Sequence, residues 1–334
     1  MRANRLTVAA AEPHFESSDL PDPVAGPGEI QIDLVTAALN RRDWWIWRDP
    51  STPVPVVLGS DGAGRVAALG DGVAGFAVGD EVVIDPALGW GDDESAAGES
   101  FDILGGPSQG TFAERIVVPA ANVRRKPPAF TWEEAAALPL AGLTAWRAVV
   151  TCAGAAPGRR ILVTGGGSGV STFCIQIACA LGAEVWVTSG TDEKIARCMA
   201  LGARGGFRYD DPAWPEQLRA ATGGDGVHAV VDSFGGEGWA QALGALVRGG
   251  VLVNYGDTGG EQATIPVAAI YWEWRSLIGT TMGSPREFSA LCAHAERASW
   301  RPAIDSVHAL DELAAAARRL TQSDRFGKVV LRVA

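Results

Sequence analysis

The stretch Gly165-Gly166-Gly167-Ser168-Gly169-Val170-Ser171 follows an apolar run, Arg160 to Thr164, and opens a helical one, Ser171 to Leu181. Glycine permits the tight turn by which a strand feeds a helix, and it lets backbone N–H groups come close to a ligand. The helix that follows presents unpaired N–H donors and a partial positive charge at its start. A glycine cluster by itself is weak evidence, but strand, turn and helix in this order form a pyrophosphate cradle. The stretch therefore predicts a dinucleotide site on Gly166, Gly167, Ser168, Gly169 and Val170. Ser168 and Ser171 stand where two fingerprint glycines are expected. Serine is small enough for close helix packing, so binding is expected to survive.

The next strand, Glu184 to Thr188, runs into Ser189-Gly190-Thr191 with no acid at its tip. An acidic side chain there would hold the adenosine ribose hydroxyls and repel a 2′-phosphate. Its absence points to NADP(H), with Ser189 and Gly190 beside the ribose. Lys194 and Tyr209 are candidates to meet that phosphate with a cation and a hydroxyl. A solvated helix lysine and a packed surface tyrosine are the alternatives.

Farther along, helix Asp192 to Leu201, strand Val227 to Asp232, helix Glu237 to Leu246 and strand Gly250 to Tyr255 continue the series. Strands alternating with helices through short glycine-rich joins predict a parallel sheet covered on both faces, an α/β doubly wound domain. Upstream, Ile30, Ile32 and Leu34 alternate with Gln31 and Asp33, and short apolar runs follow at Val54–Leu58, Gly64–Leu69 and Glu81–Ile84. This is the texture of a strand-rich lobe. At Thr131-Trp132-Glu133-Glu134 a capping box opens an alanine-rich helix. The expected division is a strand-rich lobe over 1–128, a nucleotide-binding domain over 129–282, and a tail over 283–334 that packs back on the first lobe. In the tail, helices near Arg286–Ala298 and Leu310–Leu320 precede a strand, Lys328–Val333.

With 334 residues, 47% of them hydrophobic, the chain is long enough for two ordinary cores, which excludes disordered and collagen-like classes. A net charge of −11 without a basic run argues against nucleic-acid and membrane-surface partners and favours a small molecule. Five cysteines, Cys152, Cys174, Cys179, Cys198 and Cys292, show no paired spacing. With no leader-like or membrane-spanning run near the start, they suggest free thiols in a reducing, cytoplasmic setting.

Gly26-Pro27-Gly28-Glu29, Leu39-Asn40-Arg41-Arg42-Asp43, Leu58-Gly59-Ser60-Asp61-Gly62-Ala63-Gly64 and Val78-Gly79-Asp80-Glu81-Val82-Val83 punctuate the first lobe. Gly142-Leu143-Thr144-Ala145-Trp146, the glycine turn, Asp232-Ser233-Phe234-Gly235-Gly236 and Phe326-Gly327-Lys328-Val329-Val330 follow. In order and spacing these resemble the medium-chain dehydrogenase/reductase superfamily, and within it the zinc-independent quinone oxidoreductase-like branch. The resemblance implies a GroES-like catalytic domain split around a Rossmann domain, with the active site in the cleft between them. It also implies that Asn40 and Thr144 sit beside the nicotinamide ribose and substrate, and that Tyr255 and Gly256 lie near the nicotinamide. Zinc-dependent relatives place cysteine and histidine ligands near Asn40 and Ser60, and four cysteines in a lobe corresponding to Ala87–Phe101. Here neither region offers a thiol or imidazole, and His14, His228, His294 and His308 are scattered singly, so no metal is expected. The acids Asp92, Asp93 and Glu94 read as a solvated loop.

Without a Lewis acid, reduction of a quinone, enone or enal is the favoured chemistry, because conjugation in the substrate disperses the charge that arrives with hydride. Asp43 is a further candidate for the cleft, as is Asp61, although either carboxylate equally suits bracing a loop through backbone N–H groups. Tyr271 is a candidate proton donor, with water the favoured source. Trp44, Trp45 and Trp47, and again Tyr271, Trp272 and Trp274, offer aromatic walls for a flat substrate or packing for a core or interface. Leu277–Thr281 begins as an apolar strand where relatives pair sheet edges, so a homodimer is expected. Two other readings stay open. One is a reductase of a dedicated metabolite such as an enoyl thioester or imine, with Arg41, Arg42 or Arg48 gripping a substrate anion. The other is an NADPH-binding regulator without turnover.

Overall fold

The alternation read at Ile30, Ile32 and Leu34 is that of a ten-residue strand, Glu29–Ala38, whose apolar face is buried and whose Asp33 is exposed. The computed structural model describes residues 1–106 and 108–333. Strand Glu29–Ala38 is the spine of a seven-stranded sheet. Its order is Val123–Arg125, Glu81–Ile84, Asp61–Leu69, Glu29–Ala38, Lys328–Arg332, Ile304–Ala309, with Arg115–Pro119 also paired to the spine. A smaller sheet joins His14–Asp19, Arg2–Val8 and Val56–Val57. Ile32, Val66, Val82, Ile84, Phe112, Val329 and Leu331 fill the core between these layers. Burying one such aliphatic side chain contributes about 1.5–3 kcal/mol.

The chain divides into two units, one of residues 1–143 with the segment from 283 onward, the other Thr144–Met282. The first boundary thus falls at 143/144, not at the expected 128/129. Helix Trp132–Ala137 is the reason: its buried Ala135, Ala136 and Ala137 pack on strands Glu29–Ala38, Asp61–Leu69 and Lys328–Arg332. Its start is the expected capping box, with Thr131 Oγ1 accepting from Glu134 N at 3.2 Å and Thr131 N donating to Glu134 Oε2 at 2.9 Å.

The second unit is a six-stranded, all-parallel sheet in the order Gly205–Arg208, Glu184–Ser189, Arg160–Val163, Val227–Asp232, Leu246–Asn254, Ser276–Gly279. Numbered along the chain this is 3-2-1-4-5-6, the Rossmann order, which reverses between Arg160–Val163 and Val227–Asp232. Helices Gly169–Ala180, Asp192–Ala200, Trp214–Ala221 and Gly238–Ala245 connect the strands. Strand Gly205–Arg208 ends just before Tyr209, and helix Trp214–Ala221 gave no clear signal in the sequence. Two glycines lead the strand because Trp186 and Val187 crowd it, and a Cβ on Gly205 would lie 2.7 Å from the Trp186 ring. Among the described residues no helix is long and apolar enough to cross a membrane.

Candidate functional site

The glycine turn is held from three sides. Gly165 and Gly167 have φ of +64° and +105°, conformations costly for any residue with a Cβ. Gly166 has no room for one, because a Cβ there would lie 2.9 Å from the Cys198 sulfur. Its N–H donates to Thr188 O at 2.7 Å, and its carbonyl accepts from Ser189 Oγ at 2.8 Å. Ser189 is thereby buried and braces the turn from the second strand. Ser168 caps helix Gly169–Ala180, its Oγ accepting from Ser171 N at 3.1 Å. Ser171, fully buried, donates its hydroxyl to the carbonyls of Gly165 and Ser168, both at 3.0 Å. The two serines in glycine positions therefore close the turn, and the first-turn N–H groups of Gly169 and Val170 are left without an intrahelical acceptor.

At the tip of the second strand, Tyr209 N donates to Ser189 O at 3.2 Å, and the Tyr209 hydroxyl lies over Gly190, where a Cβ would come within 2.6 Å of it. Its half-exposed ring stacks on Phe234 at 6.2 Å. Lys194, half-buried one turn into helix Asp192–Ala200, follows a Thr191 cap. Ser189, Gly190 and Tyr209 are thus brought together as the sequence suggested. Asp192 and Glu193 share the helix start, and Arg208, which the sequence reading passed over, sits one residue before Tyr209, paired with Asp210 at 2.6 Å.

Beyond the carboxyl ends of Val227–Asp232 and Leu246–Asn254 lies a recess of about 230 Å³, lined by Gly235, Gly236, Trp239, Asn254, Gly256 and Asp257 among others. Buried Asp232 organises its wall. It accepts from Thr164 Oγ1 at 2.6 Å, Gly235 N at 2.9 Å, Trp239 Nε1 at 3.0 Å and Asn254 Nδ2 at 3.2 Å. The Gly256 carbonyl, expected near the nicotinamide, already accepts from Asn254 Nδ2 at 2.7 Å. The Tyr255 hydroxyl is turned inward, where burial raises its pKa well above the ordinary phenol value. Thr144 is buried, its hydroxyl 3.9 Å from the Met282 sulfur. Tyr271, a candidate proton donor beside the favoured water, lies exposed on the short helix Ala268–Tyr271, edge-on to Trp272.

The first unit holds the second centre. Asn40 precedes helix Arg41–Arg48, and its N–H donates to Asp43 Oδ2 at 2.7 Å. Asp43 is fully buried, and burial pushes its carboxyl up to about 6 against the opposing pull of Arg42. It braces the helix start, the bracing alternative the sequence left open. The Asn40 side chain turns elsewhere: Nδ2 donates to Asp61 Oδ2 at 2.9 Å, and Oδ1 accepts from Lys328 Nζ at 2.5 Å. Lys328 also pairs with Asp61 at 2.8 Å, and both are buried. Asp61 Oδ1 takes Leu140 N at 2.7 Å. Arg42 donates to Ser60 Oγ at 2.9 Å and to the Leu104 carbonyl at 3.1 Å, so it ties down a loop. Lys328 was visible in the sequence only as part of a motif.

This donor set does not fit a zinc ion. Asn40 and Ser60 supply an amide and a hydroxyl, and the one carboxylate beside them is neutralised by an ammonium. Among the described residues no group of three or more His, Cys, Asp or Glu is arranged to hold a metal. In the segment 89–101, Trp90 is buried edge-on to Phe101 at 5.4 Å and donates Nε1 to the Asp93 carbonyl at 2.9 Å. Glu94 accepts from the Ser284 hydroxyl. Burial pushes the Cys179 thiol up to about 11 and those of Cys198 and Cys292 up to about 12, which keeps these three protonated.

A Rossmann sheet with a glycine turn at its switch point, in a chain that also builds a strand-rich lobe, defines a two-domain nicotinamide-dependent oxidoreductase. Residues 26–128 match the alcohol dehydrogenase GroES-like domain, and residues 169–297 match the zinc-binding dehydrogenase family. The zinc-type alcohol dehydrogenase-like protein C1773.06c of Schizosaccharomyces pombe is 33% identical over 317 residues, spanning 92% of this chain and 91% of that protein. The chain belongs to the medium-chain dehydrogenase/reductase superfamily. The crystal structure of an NAD-dependent alcohol dehydrogenase superposes with a TM-score of 0.94 at 40% identity, covering 100% of both chains. Crotonyl-CoA reductase of Streptomyces collinus is 25% identical over 356 residues, spanning 93% of this chain and 80% of that one.

Proposed function

We propose that this oxidoreductase uses NADPH to reduce a quinone, enone or enal without zinc, as in the quinone oxidoreductase-like branch of its superfamily. The observation that carries the reading is the Lys328–Asp61–Asn40 cluster, which puts an ammonium, a carboxylate and an amide where a metal would need thiolate or imidazole donors. A conjugated acceptor suits such a site, because its own carbonyl takes up the charge. When bound, the reduced nicotinamide supplies a hydride. Gly166, Gly167, Ser168, Gly169 and Val170 hold the pyrophosphate, and Ser189, Gly190, Lys194 and Tyr209 surround the adenosine ribose and its 2′-phosphate. Tyr255 and Gly256 border the nicotinamide end, and Thr144 serves the ribose and substrate with Asn40, while water delivers the proton in preference to Tyr271. The absence of an acid after Thr188 supports NADP(H). Edge strand Ser276–Gly279, with exposed Leu277 and Ile278 beside Tyr271, Trp272 and Trp274, supports a homodimer built on that edge.

The experiment follows NADPH oxidation in the near ultraviolet against quinones, enones and enals, with alcohols plus NADP⁺ as the reverse test and a chelator arm in both. Turnover of conjugated acceptors that the chelator leaves unchanged is expected; chelator-sensitive alcohol oxidation overturns the reading. Gly190→Asp puts a carboxylate at the strand tip and displaces Tyr209, and is expected to move the preference from NADPH toward NADH. A second reading, reduction of an enoyl thioester, is favoured by the likeness to crotonyl-CoA reductase and by Arg41 and Arg48. These flank the Trp44 ring at 4.4 and 4.6 Å and form no carboxylate pair among the described residues. Activity confined to acyl thioesters would select it.

A further inference from the structure

We propose that Lys328 is a positioning residue, whose ammonium fixes the Asn40 side chain as a hydrogen-bond donor toward an oxygen of the bound reactant. The argument starts from what each group is able to do. An ammonium has donors only, and a carboxylate paired with it has acceptors only. The Asn40 amide lies between the two, with Oδ1 2.5 Å from Lys328 Nζ and Nδ2 2.9 Å from Asp61 Oδ2. Rotating the amide by half a turn would set N–H against ammonium and carbonyl against carboxylate, so one orientation alone is tolerated. In that orientation the oxygen faces the ammonium and one N–H is used. The second N–H is what the side chain has left to offer, and it is offered in a fixed direction.

The frame around it is stiff. Asp61 is held through Oδ1 by Leu140 N at 2.7 Å, its backbone carbonyl by Thr111 Oγ1 at 2.7 Å, and its Oδ2 by Lys328 at 2.8 Å. The Asn40 backbone is tied to Asp43 at 2.7 Å. Lys328, Asp61 and Asn40 are 3%, 0% and 6% exposed, so water does not compete for these bonds. A preoriented donor in a dry setting is worth most where negative charge develops on oxygen. The inference rests on the conjugated-acceptor reading. There, hydride adds to the carbon β to a carbonyl, the C=C pair shifts to give an enolate, and NADPH leaves as NADP⁺. The enolate takes a proton from water at its α-carbon, and the Asn40 N–H steadies the oxygen meanwhile.

The test uses Lys328→Met/Asp61→Asn, which removes both charges together and leaves no orphan carboxylate, alongside Lys328→Arg, which keeps donors and charge. The double variant is expected to retain its thermal midpoint within a few degrees and its NADPH affinity, while kcat falls at least tenfold at little-changed acceptor KM. Lys328→Arg is expected to stay within about threefold of wild type, against the hundred-fold or more that loss of a whole oxyanion donor costs. Wild-type kcat in a folded double variant would reduce Lys328 to neutralising a buried acid, and overturn the proposal. A readout independent of turnover is asparagine-selective ¹⁵N labelling, since the chain has four asparagines, Asn4, Asn40, Asn122 and Asn254. The shift difference between the two Asn40 amide protons, to which the bond from one of them to Asp61 contributes, is expected to change in the double variant, or in Lys328→Met should the double variant not fold. Unchanged Asn40 resonances overturn the proposal even if no acceptor is turned over. Changed resonances with no turnover on any acceptor count against the reductase reading alone.

Discussion

Replacing Asp43 by Asn should flatten a pH dependence of stability that the wild-type chain carries in its first unit. The Asp43 carboxyl is pushed from 3.8 up to about 6, by burial first and against the pull of Arg42 and the Asn40 N–H. At 1.36 kcal/mol per pKa unit that elevation is about 3 kcal/mol. Because burial favours the neutral form, the folded chain binds this proton more tightly than the unfolded one. Below about pH 4 the group is protonated in both states and costs nothing. As the pH rises through about 6, the unfolded state gains from ionisation before the native state does, so native stability falls, and the full cost stands above about pH 7. Asp43→Asn keeps an acceptor oxygen for Asn40 N and has no proton to lose. The wild-type minus variant stability difference should therefore drop by about 3 kcal/mol between about pH 4 and 7.5, a shift in midpoint on the order of 10 °C. Urea unfolding or calorimetry at half-unit steps of pH measures it. A difference that is flat, or that grows with pH, refutes the assignment.

Ser171→Ala removes the hydroxyl that closes the glycine turn on the Gly165 and Ser168 carbonyls. It should cost about 1–2 kcal/mol and weaken dinucleotide binding several-fold in a fluorescence titration. Unaltered affinity would show that the turn is held without it. Trp90→Ala empties the buried ring site of the 89–101 segment and should destabilise the first unit by about 3–5 kcal/mol, with new proteolytic cleavage in that segment. Wild-type protease resistance would speak against Trp90 as the anchor.

What was legible in the sequence was local. The glycine turn announced itself because strand, turn and helix lie within about twenty residues and each has its own periodicity. Thr131 and Glu134, three residues apart, were likewise readable as a cap. Strand Ile304–Ala309 was missed because it alternates too weakly to stand out. That Asn40 and Ser60 offer no thiol or imidazole was legible in the residue types, but the ammonium that meets Asn40 was not. Lys328 reaches Asn40 across 288 positions and Asp61 across 267, and no pattern within a window carries that information. Asp43 was ambiguous for a related reason: a carboxylate that braces a helix start and one that faces a ligand look alike until burial is known.

Strand Lys328–Arg332 is wedged between Glu29–Ala38 and Ile304–Ala309, one strand in from the end of the first unit's sheet. On the ribosome, the spine strand must wait for that partner while the whole of Thr144–Met282 is translated. At about 5–20 residues per second that stretch alone takes roughly 7–28 s. For that interval the nascent lobe leaves the Thr36–Ala38 end of the spine strand unpaired, since Ile304–Ala309 on the far side is also still to come, inviting capture by chaperones or by neighbouring polysomes. The same strand delivers the ammonium to Asp61, so covering the spine's open edge and burying that ion pair come together.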